Sequence, residues 1–242
     1  MKIALLCPTR ARPEQCKRMI ESVDRTKSGR VDIFVAMSDV DASSPAYKPV
    51  IESNRAGSDI YMYPDGCPTV FKWNTLAEKA MGEGMPDNRP HKLFMLASDD
   101  IVFSTPLWDK ALLDHYNSLE NKIHVYHLRD SRSEDGTPHP IVTREWIEAI
   151  GYFLPPLFMH WFVDTWTVEI AMHCGAFTHM KDYLLIHDKP SDSGNADETH
   201  SRIRQQGWHD RDAWVNERCQ HFLQFEKERM YKHFSQSARI VA

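Results

Sequence analysis

The chain's 242 residues, 42% of them hydrophobic and 26% charged, supply enough apolar side chains for one packed domain and exclude a disordered polypeptide. A net charge of -5 excludes a grip on nucleic acid through overall basicity. The five cysteines (Cys7, Cys16, Cys67, Cys174 and Cys219) are scattered and form no CxxC pair, so neither a disulfide framework nor a structural zinc site is expected.

In chain order, residues 3–7 read as a short buried strand that stops at Pro8-Thr9-Arg10, after which Pro13 opens a helix. That apolar run is too short for a signal peptide, and no stretch reaches the roughly 18 apolar residues of a membrane span. A soluble, cytoplasmic protein is therefore expected. Residues 31–37 form a second strand ending in the acidic turn Ser38-Asp39-Val40-Asp41. A third strand follows over 60–63, then a helix over 70–81 with Phe71, Asn74, Ala77 and Met81 on one side. The Gly- and Pro-bearing stretch 81–90 reads as a loop, and a fourth strand over 92–97 delivers the chain to Ser98-Asp99-Asp100.

The second half is less regular. A strand is expected over 123–128, a loop over 129–140, and a short helix capped by Thr143 and closed by Gly151. An aromatic cluster over 152–162 leads to a helix beginning near Asp164. A strand over 181–187, a polar loop over 188–197, a helix start at Asp197-Glu198-Thr199-His200 and a charged amphipathic helix over 209–234 complete the chain. Alternating strands and helices predict an α/β fold, a mostly parallel sheet flanked by helices. No internal repeat or linker divides it.

Chemistry concentrates where strands end. Asp99 and Asp100 leave a hydrophobic strand together, and two adjacent carboxylates there are costly to desolvate without a cation or hydrogen-bond donors. A divalent ion bridging a carboxylate and a pyrophosphate answers that need, since Mg²⁺ and Mn²⁺ favour oxygen ligands. The plainer reading is that the pair caps a turn. His187 also ends a strand and by itself reads as a surface or structural histidine. Asp164, sharing a helix face with Val168, Ala171 and Gly175, by itself reads as an N-cap. The aromatic cluster is core packing or a stacking platform, and Arg10, Arg12, Lys17 and Arg18 are phosphate contacts or solvated charges.

Taken together, these residues resemble the GT-A glycosyltransferases, especially the family-2 type, in the small single-domain form common in bacteria and bacteriophage. The resemblance covers roughly the first 190 residues. It rests on Pro8-Thr9-Arg10, Arg12-Pro13-Glu14, Ser22-Val23, the acidic turn, Lys72-Trp73-Asn74, Ser98-Asp99-Asp100, Ile186-His187-Asp188 and Asp164-Thr165-Trp166. It implies a metal-dependent enzyme that moves a sugar from a nucleotide-sugar donor, a UDP-sugar in particular, to a hydroxyl of a glycan or a hydroxylated DNA base. Pro8, Thr9, Arg10, Asp39, Asp41, Asn74, Ser98 and Asp99 would meet the donor. Asp100 and His187 would hold Mn²⁺ or Mg²⁺, and Asp164 would be the base. Ser98 stands where a strict DxD motif has its first aspartate. The same reading divides the single domain 1–242 into a nucleotide-sugar half (1–100), an acceptor and metal half (101–208) and a helical arm (209–242). A nucleotidyltransferase would need a Gly-rich phosphate loop after the first strand, which residues 7–13 lack. A non-catalytic binding module that keeps the fold is the other alternative.

Overall fold

The computed structural model describes residues 1–53, 59–82, 89–133, 138–188 and 198–241. Its first strand, β1 (Lys2–Thr9), is buried on both faces: Ala4 and Leu6 enter one core, while Ile3, Leu5 and Cys7 enter the other. A near-continuous apolar run of this kind is what a central strand between two helical layers requires. The chain then passes Ala11, at φ 52°, into α1 (Pro13–Thr26). That helix lays Cys16, Met19, Ile20 and Val23, spaced at helical intervals, onto the second core. Strand β2 (Val31–Ser38) and helix α2 (Lys48–Ser53) follow, then β3 (Asp59–Tyr63), α3 (Thr69–Gly82), β4 (His91–Leu96) and β5 (Ile101–Phe103).

The remaining elements are α4 (Trp108–Ser118), β6 (Val125–Asp130), β7 (Ile141–Thr143), α5 (Arg144–Ile150), α6 (Val163–His173), β8 (Phe177–His187), α7 (Glu198–Gln205), α8 (Trp208–Arg218) and α9 (Gln220–Val241). Among the described residues, eight strands form one sheet in the order β3-β2-β1-β4-β7-β6-β8-β5. Parallel pairing joins β3, β2, β1 and β4, and also β6 to β8, while β7 runs antiparallel to β4 and β6, and β5 antiparallel to β8. The predicted α/β class, a mostly parallel sheet flanked by helices, is what is found. All five cysteines are free thiols, and among the described residues no helix is long and apolar enough to cross a membrane.

Several local readings need correction. On α3 the buried side is Val70, Lys72, Trp73, Leu76, Ala77 and Ala80, whereas Phe71 is 57% exposed. Packing against the sheet, with the Trp73 indole as anchor, sets the rotation that the apolar spacing alone placed one residue off. The long helix over 209–234 is two helices that break at Cys219, and helix α4 and strands β5 and β7 were not foreseen. Helix α5 carries both expected caps, with the Thr143 hydroxyl accepting from the Trp146 N–H and Gly151 at φ 92°. The expected loop residues 83–88, 134–137 and 189–197 lie outside the described residues.

Candidate functional site

Strand β1 lies between β2 and β4, and the chain leaves β1 toward β2 but enters β4 only after β3 and α3. The order therefore reverses at β1 and β4, and a crevice opens beyond their carboxyl ends. The indole N–H of Trp73 sits in this fork, 3.1 Å from the carbonyls of both Leu6 and Ala97. Beyond it lies a cavity of about 280 Å³.

One wall of the cavity is polar and rigid. Asp99, only 4% exposed, accepts from the Thr9 hydroxyl at 2.8 Å and from Arg12 at 3.0 Å. Arg12 is itself buried and stands 3.5 Å from Asp100. Its backbone N–H donates to the Tyr47 hydroxyl at 2.9 Å, and that hydroxyl also meets Thr9 at 3.1 Å. Burial pushes the Asp99 carboxyl up to about 6, against the pull of Arg12 and Thr9 and with the push of Asp100. Asp100 goes the other way. Burial raises it, but the Ser98 hydroxyl donating to it, with His187 and Arg12 nearby, holds it below the usual carboxylate range.

Beside Asp100 the sheet gathers a second set of donors. Strand β5 pairs antiparallel with β8 so that Ile101 faces His187, and the Asp188 N–H donates to the Asp100 carbonyl at 2.8 Å. This register sets His187 Nε2 3.6 Å from Asp100 and its Nδ1 3.3 Å from Asp130, whose side chain is fully buried. His139, at φ 59°, brings its Nε2 to 3.9 Å from Asp130. Burial, then neighbouring His187, pushes His139 down to about 4. Asp130, His139 and His187 each offer one ligand atom, all within 4.8 Å of one another. Oxygen and imidazole donors at this spacing fit a divalent transition metal.

The remaining walls come from other elements. Arg10 donates to Asp65 at 2.8 Å and to Glu198 at 3.3 Å, Arg202 also binds Asp65, and the Thr199 hydroxyl donates to the Arg10 carbonyl at 2.7 Å. This network fastens α7 across the cavity. Lys72, buried on α3, lines it as well, and desolvation pushes its ammonium below the usual lysine value. The loop His160–Phe162, followed by Asp164 on α6, completes the lining. The buried Asp212 carboxylate accepts the backbone N–H groups of Met159, His160 and Trp161 at 2.8–3.0 Å, which fixes the loop from α8. His160 stacks on Trp73 with ring centroids 6.0 Å apart.

Pro8, Thr9, Arg10, Ser98, Asp99, Asp100, Asp164 and His187 thus line one cavity. Asp39, Asp41 and Asn74 are not among the lining residues. Asp39 accepts the Asp65 N–H at 3.0 Å, and Asp41 accepts the Ala11 N–H at 3.0 Å, so the acidic turn braces the loops around the crevice. Asn74 donates to and accepts from the Leu154 backbone, and α3 presents Lys72 and Trp73 to the cavity instead. Asp164 is the second residue of α6, the N-cap being Phe162 at φ 67°, and its side chain accepts the Thr165 N–H at 2.8 Å. Asp65, Asp130, His139, Arg202 and Asp212 carried no sequence signal, because partners distant along the chain bring each into place.

A scan against protein-family models finds no match for the chain, and a search of curated proteins finds none. Solved structures do match in shape. Residues 1–349 of S. aureus TarS in complex with UDP superpose with a TM-score of 0.60 at 10% identity, over 80% of this chain and 62% of that one. The complex of the same TarS fragment with UDP-GlcNAc gives a TM-score of 0.57 at 11% identity, over 84% of this chain and 64% of that one. The fold is GT-A. A third structure, the mannosyltransferase PcManGT from Pyrobaculum calidifontis in complex with GDP-Man and Mn²⁺, matches this GT-A chain with a TM-score of 0.55 at 10% identity, over 78% of it and 57% of PcManGT. The chain spans less than two thirds of each of these structures.

Proposed function

We propose that this GT-A chain is a glycosyltransferase that moves a sugar from a nucleotide-sugar donor, a UDP-sugar in particular, to an acceptor hydroxyl on a glycan or a hydroxylated DNA base. One observation carries the reading. The crevice at the carboxyl ends of β1 and β4 joins Thr9, Arg12, Asp99 and Asp100 to cationic Arg10, Lys72 and Arg202, with Asp164 on another wall. Cations suit a diphosphate, carboxylates suit sugar or ribose hydroxyls, and the matching structures hold nucleotides or nucleotide sugars.

Asp100 and His187 would hold Mn²⁺ or Mg²⁺, which when bound supplies positive charge to the departing diphosphate. Ser98 keeps Asp100 ionised and oriented. Asp99, held by Thr9 and Arg12, accepts donor hydroxyls. The acceptor oxygen bonds to the anomeric carbon as the bond from that carbon to the diphosphate oxygen breaks, and the hydroxyl proton passes to the Asp164 carboxylate. His160, Trp161 and Phe162 shield the reacting atoms from water and offer aromatic faces to the acceptor. The residue groups 1–100, 101–208 and 209–242 act as donor side, acceptor and metal side, and bracing arm.

A panel of nucleotide sugars, each incubated with Mn²⁺ and read by nucleoside diphosphate release, tests this reading. One donor class should be hydrolysed slowly without acceptor, EDTA should stop the reaction, and Asp100→Ala should lower it at least about a hundredfold. Exchange of pyrophosphate into the nucleotide sugar would point to a nucleotidyltransferase. Absence of turnover with every donor would leave a binding module.

A further inference from the structure

His139, which lines the cavity, and the buried Asp130 beside it have no part in the donor reading. The Asp130 side chain has no exposed surface. Its Oδ1 accepts the Arg132 N–H at 2.8 Å, while Oδ2 is buried without a hydrogen bond. Neither ring nitrogen of His139, which is 4% exposed, makes a hydrogen bond either. Leaving a carboxylate oxygen and two imidazole nitrogens unsatisfied in one place is costly, and native structures rarely tolerate it without a ligand. The orphaned atoms face each other and His187 Nδ1, at 3.9 and 3.3 Å from Asp130 Oδ2.

We infer that Asp130, His139 and His187 form a metal site of their own, taking a divalent transition-metal ion through two imidazoles and one carboxylate. The site lies on the Nδ1 side of His187, the side away from Asp100, whose carboxylate meets Nε2 at 3.6 Å. Two imidazoles favour a borderline ion such as Zn²⁺, Co²⁺ or Fe²⁺ over Mg²⁺. The three ligands reach it from separate parts of the sheet. Asp130 ends β6, His187 ends β8, and β6 runs parallel to β8 with Asp130 paired to Leu185. His139 enters just ahead of β7, held at positive φ. An ion there would tie the ends of β6 and β8 to the turn before β7 without any nucleotide. That independence of nucleotide sets it apart from the donor-bound cation proposed for Asp100 and His187; a neutral imidazole ligates through one nitrogen, so the shared His187 serves one ion at a time.

The test titrates Co²⁺ alone into the metal-free chain without nucleotide and follows its visible absorption. One equivalent should bind, and two paramagnetically shifted ring N–H proton signals should appear, one for each bound imidazole. Asp130→Asn and His139→Gln should each weaken binding by about a hundredfold or more, at or beyond the loss expected for disturbing a metal's supporting shell. Asp100→Asn should change it less than threefold. The proton signals come from the unmutated chain, so they decide the matter even if a variant fails to fold. No Co²⁺ binding without nucleotide would overturn the inference. So would Co²⁺ binding that is lost in Asp100→Asn but kept in Asp130→Asn and His139→Gln, an outcome that leaves the donor reading standing. Two-histidine Co²⁺ binding in a chain that turns over no nucleotide sugar would uphold the metal site while the donor reading fails.

Discussion

Two walls of the cavity are built on different principles. The wall from β1 and β4 is held by its own chemistry: Thr9, Arg12, Tyr47, Asp99 and Asp100 are mutual partners, nearly all buried. The wall from residues 159–164 takes its backbone support from other elements: the Asp212 carboxylate on α8 accepts from residues 159–161, and the Val70 N–H of α3 donates to the Met159 carbonyl at 3.1 Å. Charges withdrawn from water must satisfy one another, so damage to the first wall reaches stability and donor binding together. A loop positioned from outside can shift without unfolding the sheet. Donor and acceptor functions should therefore separate on mutation.

The sharpest separation is expected at Asp164. Asp164→Asn keeps the size and polarity of the side chain but removes the proton acceptor, so transfer to an acceptor should fall by about a hundred- to ten-thousandfold. Donor affinity, measured calorimetrically, should hold. Transfer within about threefold of the parent would assign Asp164 to the helix end alone. Glu145 and Asp188 are poor substitutes as base, since Glu145 is engaged by Lys92 and Tyr116, and Asp188 pairs with Arg18.

Arg12→Met attacks the other wall. It leaves two buried carboxylates without their shared cation, and a broken buried pair typically costs about 3–5 kcal/mol, readable by urea unfolding. An unchanged midpoint would show that the polar wall is not self-supporting. Asp212→Ala frees three N–H groups that are only part-buried and so open to water, and it should cost less, about 1–3 kcal/mol, with transfer impaired more than donor binding. Equal loss of both functions would erase the distinction between the walls.

A smaller effect concerns pH. Asp99 has its folded pKa raised to about 6, from 3.8, chiefly by burial. For a carboxyl raised on folding, ionisation opposes the folded state. Stability is unaffected below the lower value and is lost as pH rises from there through the upper one. The parent should thus lose melting temperature relative to Asp99→Asn between about pH 4 and pH 6. A difference independent of pH across that window would place Asp99 in a better-solvated setting.

The sequence made the first wall legible because its signals are local. Apolar runs ending in Pro8-Thr9-Arg10 and Ser98-Asp99-Asp100 mark strand ends, and strand ends in such sheets are where ligands collect. Thr143 and Gly151 announced a helix for the same reason. The second wall and the Asp130–His139 cluster depend on long-range register. Strand β5 is three residues long and shows its meaning only when paired with β8, which is how His187 comes beside Asp100. Asp212 looks like any acid on a charged helix until the fold sets it under residues 159–161. Helix α4 begins after Leu107 at φ 62° with no capping side chain, and the break at Cys219 has neither glycine nor proline to mark it.

The claim that a nucleotide occupies the crevice between β1 and β4 is tested most directly by thermal unfolding with nucleoside diphosphates, with and without Mn²⁺. UDP with Mn²⁺ should stabilise the chain by about 2.7 kcal/mol at a hundredfold excess over its Kd, and EDTA should remove most of that gain. No shift with any common nucleoside diphosphate, metal present or absent, would contradict the account.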